Sequence, residues 1–447
     1  MKPTPELLLA HDRPGPRYTS YPTVPSWTTD VDDTVLATAL ASVRTPAAVY
    51  VHVPFCREQC WFCGCNQVVS GRQSAGDRYL DALQKQLDAL VLPATVVDTA
   101  RIHLGGGTPT WLDLRQLERL YDMLFARFRP IDGAELSVEL DPDVTSDEQM
   151  DLLADRGVTR ISVGVQSTDP VVLQAIHRPQ ETGRVQRCLE KARDHGMRGL
   201  NVDLIYGLPF QTRERFAQTL RDVLAVSPDR FAVYSYAHVP WLKRHQAQID
   251  TDALPGPIDK MALFLQVEET LHEAGFESVG MDHFALPDDE LAVASRQGTL
   301  HRNFMGYTTR SDLPLIGLGV SAISELDDVY AQQLPHLGAW YRAVEGGSRV
   351  VERGIRLSAE DQLRKDVIAS LMCNFRVRKG EIAARHGVDF DAHFASALAS
   401  LAPLVDEGLA ELHTDRVEVT PLGRYLVRNV AMAFDDRLGD GRFSRTV

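Results

Sequence analysis

From about residue 46 the chain alternates between two hydrophobic periods. Short apolar, β-branched runs lie at Ala48–Val53, Ala100–Leu104, Leu136–Leu140, Arg160–Val165, Leu200–Ile205 and Phe231–Tyr236. Longer amphipathic stretches stand between them or follow them: Arg78–Leu90, Leu114–Phe128, Gln149–Asp155, Val185–His195, Arg215–Val226 and Met261–Ala274. Short buried strands separated by helices signal βαβ units and a parallel sheet. Six repeats without an obvious seventh and eighth predict an α/β fold of the open (β/α)6 partial-barrel kind. In parallel α/β folds the chemistry gathers beyond the C-terminal ends of the strands. The conspicuous residues fall there in order. A cysteine loop follows the first strand, Gly105-Gly106-Gly107-Thr108-Pro109 the second, and Glu139 ends the third; Gln166 follows the fourth, Asp203 sits late in the fifth, and Tyr236-Ala237 end the sixth.

The flanks differ from this alternation. Residues 1–45 are Pro-rich and without a sustained period, yet carry Tyr18, Tyr21 and Trp27. Disordered segments avoid aromatics, so this arm is expected to be ordered by contact. Residues 46–330 make the barrel, ending in a Gly-rich mixed stretch, Gly306–Ala322. Residues 331–447 contain helical patterns at Ala359–Met372 and Phe394–Leu401, then a pair of short runs, Gly408–Leu412 and Arg416–Thr420. That helix–helix–hairpin order predicts a mainly helical, winged-helix-like C-terminal domain.

Composition narrows the class. With 44% hydrophobic and 24% charged residues, the 447-residue chain reads as globular. No apolar run reaches the ~18 residues of a membrane span, and the apolar start is too short for a signal peptide; a cytoplasmic protein is expected. A formal net charge of −14 argues against nonspecific nucleic-acid binding. A winged helix here therefore suits a lid or docking role.

The cysteines are the strongest chemical signal. Cys56, Cys60, Cys63 and Cys65 place four of six cysteines within ten residues, in a C-x3-C-x2-C spacing followed by a fourth thiol. Clustered thiols in a cytoplasmic chain point to metal or catalysis rather than disulfides. Soft thiolates select zinc, copper(I) or an iron–sulfur cluster. Structural zinc sites usually use two separated pairs, and no second pair exists. A closed [4Fe–4S] site needs four cysteines, with Cys65 as the fourth on a very tight loop. The other reading is three cysteines on three irons, one iron remaining open. Cys188 and Cys373 lie in helical patterns and read as small buried hydrophobes; His52 and His283 read as packing residues.

Two further features bear on ligands. The Gly105–Gly107 run lacks both the G-x-G-x-x-G and P-loop spacings, but glycines after a strand let the backbone approach a ligand closely. Glu139 and Asp203 each interrupt an apolar strand, where a carboxylate is costly unless paired.

C-x3-C-x2-C with an aromatic before the third cysteine resembles the radical S-adenosylmethionine (SAM) superfamily. The Cys63-Gly-Cys65-Asn66 step and the arm Gly15-Pro-Arg17-Tyr18-Thr-Ser-Tyr21-Pro22 resemble the family of oxygen-independent coproporphyrinogen III oxidases. So do Asn201–Pro209, Met281–Phe284, His301–Phe304 and Phe443–Arg445, so the likeness runs nearly end to end. The resemblance implies a [4Fe–4S] cluster on Cys56, Cys60 and Cys63, with Cys65 a catalytic, non-ligating cysteine. It implies two SAM molecules, contacted by Tyr50, Phe62, Gly106, Gly107, Thr108, Glu139, Gln166, Arg178, Asp203, Ala237 and Ile323. It implies oxidative decarboxylation of two propionates of coproporphyrinogen III to vinyls, giving protoporphyrinogen IX, by a 5′-deoxyadenosyl radical. An electron donor, an electron acceptor and a monomeric state complete the expectation.

One position departs from the family's pattern: Met305 stands where its best-known members carry a Gln that contacts SAM, and methionine lacks the amide donors. Two rivals share the scaffold, a haem chaperone and a radical SAM methyltransferase or tetrapyrrole-opening enzyme. The Cys-Gly-Cys step and the arm distinguish this chain from the chaperones.

Overall fold

The computed structural model describes residues 3–439 and 443–446. Contacts group the chain into two compact units, one of residues 28–274 and 312–354, the other of 1–27, 275–311 and 355–447. The grouping follows contact rather than chain order.

In the larger unit six parallel strands run in sequence: β1 (Ala47–Val53), β2 (Val97–Gly106), β3 (Phe128–Leu140), β4 (Arg160–Gln166), β5 (Asn201–Tyr206) and β6 (Arg230–Ser235). The longer helices between and after them are α1 (Ser74–Ala89), α2 (Leu114–Phe125), α3 (Asp147–Asp155), α4 (Thr182–Asp194), α5 (Arg213–Ala225) and α6 (Pro257–Glu273). Their starts are encoded locally. Asp113 with Gln116 and Ser146 with Gln149 form capping boxes, and Thr212 accepts from the Arg215 N–H. Helix α1 begins at Ser74, four residues before the periodicity shows it. Its Gly76 looks like a loop residue but lies against Gln116 of α2, whose amide a Cβ would meet at 2.6 Å.

The Gly306–Ala322 stretch hides a strand. Strand β7 (Leu315–Leu318) pairs in parallel with β1 on the side away from β2, with Tyr50 opposite Gly317. Strands β8 (Ile323–Glu325), β9 (Val329–Gln333) and β10 (Val351–Arg356) extend the sheet beyond it. Over these ten strands the order is β10-β9-β8-β7-β1-β2-β3-β4-β5-β6. Gly317 is required there, because a Cβ would sit 2.3 Å from the Ile323 carbonyl oxygen. Strand β3 also starts earlier than expected, at Phe128, where its polar, Pro-containing first half gives no apolar run.

Register divides the two faces of the parallel sheet. Val49, Val51, Ile102, Leu104, Val138, Ile161, Val163, Val202 and Leu204 share one face and are at most 1% exposed. The alternate positions carry Tyr50, His52, Arg101, His103, Glu135, Ser137, Glu139, Arg160, Ser162, Asn201 and Asp203. At the lower end of this polar face Glu135 is shared by Arg101 (Nε, 3.1 Å) and Arg160 (Nε, 3.0 Å).

The smaller unit holds α7 (Ala359–Asn374), α8 (Lys379–His386) and α9 (Val427–Met432), with a three-stranded antiparallel sheet of β11 (Arg376–Arg378), β12 (Ala410–Leu412) and β13 (Arg416–Val419). This is the helix-and-hairpin arrangement expected of the C-terminal region. The first part of the arm is held within this unit. Tyr18 donates to Asp435 (2.9 Å), Tyr21 to Asp436, and Arg17 pairs with Asp282. The buried Arg428 guanidinium donates to the carbonyls of Pro16 (2.9 Å), Arg445 (2.8 Å), Ser444 (3.2 Å) and Gly15. Among the described residues no helix is long and apolar enough to cross a membrane.

Arg428→Leu strips a charged donor from four backbone carbonyls, and hydrogen bonds to charged groups contribute about 1.5–3 kcal/mol. The variant should lose about 3 kcal/mol of unfolding free energy in urea titration, and trypsin should cut after Arg17 faster than in the unaltered chain.

Candidate active site

The cysteine loop leaves β1 at Val53 and passes over the end of β2. Gly107 N–H donates to the Val53 carbonyl (2.8 Å) and Thr108 N–H to the Phe55 carbonyl (2.8 Å). A Cβ on Gly107 would lie 2.6 Å from the Phe55 carbonyl oxygen, so only glycine lets the two backbones touch. Gly106, at φ 120°, has the same need: a Cβ would strike the His52 ring at 2.8 Å.

Beyond the strand ends lies a cavity of about 730 Å³. Cys56, Cys60, Cys63 and Cys65 line it together with Phe62, Gly106, Gly107, Thr108, Glu139, Gln166, Arg178 and Asp203. Residues scattered from 56 to 203 therefore converge on one space. Tyr50, Ala237 and Ile323 are not part of that lining. Tyr50 stacks on His103 at 5.9 Å and donates to His52 Nδ1 (3.0 Å), Ala237 is exposed after β6, and Ile323 begins β8.

The carboxylates that interrupt the strands belong to the polar face. His103 Nε2 (3.4 Å) and the Gly106 N–H (3.0 Å) donate to Glu139. Burial pushes the Glu139 carboxyl up, but His103 and the Gly106 N–H outweigh it and leave it below its ordinary value. Asp203 accepts from Asn201 Nδ2 (2.7 Å) and Ser162 Oγ (3.1 Å). Here burial, reinforced by the nearby Glu139 charge, wins and pushes Asp203 up to about 7. One cavity thus holds an ionised carboxylate and one that titrates near neutrality.

Arg178 is buried at the cavity wall. It reaches the Gly164 carbonyl, Asp141 Oδ2 (3.1 Å), Gln180 Oε1 (3.1 Å) and Cys60 Sγ (3.6 Å). Gln166 sits in the left-handed region, φ 68°, where a bulge shifts β4 against β5 between Gly164 and Gln166. A non-glycine residue held there costs ~1–3 kcal/mol, a cost that clusters at functional sites. Sequence reasoning missed Ser162, Gly164, Asp141, Asp143, Gln180 and Arg184, which also line the cavity. For Ser162 and Gly164 the signal was a period of two in polar or small residues, Arg160-x-Ser162-x-Gly164-x-Gln166, inside a run whose other positions are apolar; Asp141, Asp143, Gln180 and Arg184 stand outside any such run.

Among the described residues no three or more His, Cys, Asp or Glu side chains converge to hold a metal ion. The three thiols Cys56, Cys60 and Cys63 instead border the cavity from separate points of one loop, a soft donor set suited to a cluster that spans them. Burial pushes Cys56 up to about 12 and also raises Cys60, against the pull of Arg178. Cys63 comes down to about 7 through hydrogen bonding from Cys65 and the charges of Lys243 and Arg178. Cys188 and Cys373 are buried in α4 and α7. His52 holds the loop, its Nε2 donating to the Asn66 carbonyl (2.7 Å), while His283 pairs with Asp282 in the smaller unit (2.7 Å).

The Asp203 shift has a measurable consequence. Its folded pKa, about 7, lies above the ordinary 3.8, so the folded chain binds more protons than the unfolded chain between those values. Stability is therefore lost as pH rises from about 4 to 7. In cofactor-free protein, Asp203→Asn should flatten that decline, read by urea unfolding at several pH values across the window.

The sequence model of the radical SAM superfamily matches residues 50–223, and that of the HemN C-terminal domain matches residues 357–426. The oxygen-independent coproporphyrinogen III oxidase of Salmonella typhimurium is 41% identical over 430 residues, 96% of this chain and 94% of the relative. Those of Escherichia coli K12 (41% over 433 residues, 97% and 95%) and Helicobacter pylori J99 (41% over 454 residues, 99% and 99%) are similarly related. The solved coproporphyrinogen III oxidase (HemN) from Escherichia coli, a radical SAM enzyme, superposes with a TM-score of 0.91 at 41% identity, covering 94% of this chain and 97% of that one. With the cysteine loop, the glycine turn and the polar strand row in one cavity, and with identity at this level along the whole length, the chain belongs to the family of oxygen-independent coproporphyrinogen III oxidases within the radical SAM superfamily.

Proposed function

We propose that this chain decarboxylates two propionate side chains of coproporphyrinogen III to vinyl groups, giving protoporphyrinogen IX and carbon dioxide. Each propionate loses a hydrogen atom from the carbon next to the ring, then one further electron, as the bond to the carboxylate breaks and a C=C bond forms. The observation that carries this reading is the convergence on one cavity of three loop thiols, the glycine turn and the carboxylates Glu139 and Asp203.

Membership of the superfamily implies a [4Fe–4S] cluster and SAM. Bound together, they supply a carbon radical able to take hydrogen from an unactivated C–H, which acid–base chemistry cannot do. Cys56, Cys60 and Cys63 would hold the cluster, with SAM bound beside it. Gly106, Gly107 and Thr108 would present backbone and hydroxyl groups to SAM, Glu139 and Asp203 would accept from its amino or hydroxyl groups, and Arg178 would contact it from the cavity wall. Phe62 and Gln166 complete the contacts. The roles of Tyr50, Ala237 and Ile323, and a second SAM molecule, rest on the family resemblance. An electron donor must reduce the cluster and an electron acceptor must take one electron per propionate. The arm (1–45), the barrel (46–330) and the C-terminal domain (331–447) are the functional divisions of this reading, in a monomer.

Under anaerobic incubation with coproporphyrinogen III, SAM and a reductant, the chain should form vinyl product. Methylated tetrapyrrole, or tight haem retention without turnover, would contradict the proposal. Replacing Cys56, Cys60 or Cys63 by Ala should abolish iron retention, whereas Cys65→Ala should keep iron and lose turnover, measured by iron assay and product analysis. Met305, at the tip of the hairpin His301–Asn303/Gly306–Thr308, should be tolerated: wild type and Met305→Gln should both turn over, with SAM constants within about tenfold.

A further inference from the structure

The loop from Gln59 to Asn66 forms no regular ladder of its own, so its carbonyls need partners from elsewhere. Five receive them from side chains outside the loop, and Gln59 Nε2 within it donates to the Cys60 carbonyl (3.1 Å). His52 donates to Asn66 and His177 to Gln59. The other three come from one short segment after β6: Lys243 Nζ to the Cys65 carbonyl (3.0 Å), His245 Nε2 to Cys63 (2.7 Å) and Gln246 Nε2 to Phe62 (2.9 Å). Gln246 is 1% exposed and its Oε1 accepts from the Val239 N–H at 2.6 Å, which fixes the amide's orientation. The segment inverts the usual order of burial. It turns polar side chains onto the loop and leaves Trp241 and Leu242 58% and 67% exposed. The peptides gripped in this way lie on both sides of the Gly64–Cys65 peptide, whose N–H points at Cys63 Sγ (3.4 Å).

We infer that Lys243, His245 and Gln246 are positioning residues of the cluster loop, holding the peptides on either side of the Gly64–Cys65 peptide so that the Cys65 N–H stays on the Cys63 sulfur. The inference rests on the proposed function for the role of that sulfur as a cluster ligand. Hydrogen bonds to ligating sulfurs help set a cluster's reduction potential, so the segment, through the loop, makes the cluster easier to reduce. It also fixes where the Cys65 thiol stands at the cavity.

The test uses full-length Lys243→Met/His245→Leu, with Lys243→Arg as the conservative control. In the cluster-free chain, hydrogen–deuterium exchange of the amides of residues 62–66 should speed up at least tenfold in the double variant and remain near wild type in Lys243→Arg. In the reconstituted chain, iron content should be retained while the midpoint potential moves to more negative values. Unchanged exchange would overturn the inference, because the loop would then hold itself. Faster exchange with an unchanged potential would overturn the link to the Cys63 sulfur. If the double variant retains no iron, the cluster-free exchange decides. Should the exchange behave as stated while no vinyl product forms in the wild type, the loop inference stands and the reading of the reaction fails.

Discussion

A loop of bare peptide with few hydrogen bonds of its own needs most of its backbone carbonyls satisfied from outside. Everything around the cavity answers that constraint. The ends of β1 and β2 accept and donate at Val53 and Phe55, the glycine turn lies beneath, and five side chains cap carbonyls between Gln59 and Asn66. Because an unpaired buried carbonyl costs ~1–3 kcal/mol, these contacts favour one arrangement of the loop before any cofactor binds. That is pre-organisation of the kind electrostatic catalysis requires.

The same logic governs the sheet. Its apolar face is dry and supplies the stabilising burial, while its polar face would be unfavourable in a closed, filled barrel. There the side chains satisfy one another in layers. Arg101, Glu135 and Arg160 neutralise one another at the lower end, His103 links Ser137 to Glu139 above them, and Asn201 and Ser162 hold Asp203 at the cavity. Opening the barrel at this face leaves the top layer free for ligand. Proximity then sets the two protonation states, since Glu139 keeps its charge and that charge helps keep a proton on Asp203.

Much of this was legible because it is local. The cysteine spacing, the glycine run and six apolar runs lie within short windows, and each was placed at the strand end where it occurs. What the chain did not reveal depends on pairing. Leu315–Leu318 is a strand only because β1 and the Ile323 backbone enclose it, and its Gly317 reads as a breaker in isolation. The polar row emerges only when register sets Glu139 opposite Ser162 and Gly164 opposite Asp203. Lys243 and His245 look like ordinary surface residues until the fold brings them over a loop 178 and 182 residues earlier.

Cys56, Cys60 and Cys63 border one cavity together with the glycine turn, the arrangement an open cluster site requires. Mössbauer spectroscopy of anaerobically reconstituted, iron-57-labelled protein with and without SAM tests it most directly. An open site gives a [4Fe–4S] spectrum in which one iron of the four changes environment when SAM is added. Four irons unaffected by SAM, or a preparation that holds zinc and no cluster, would contradict it.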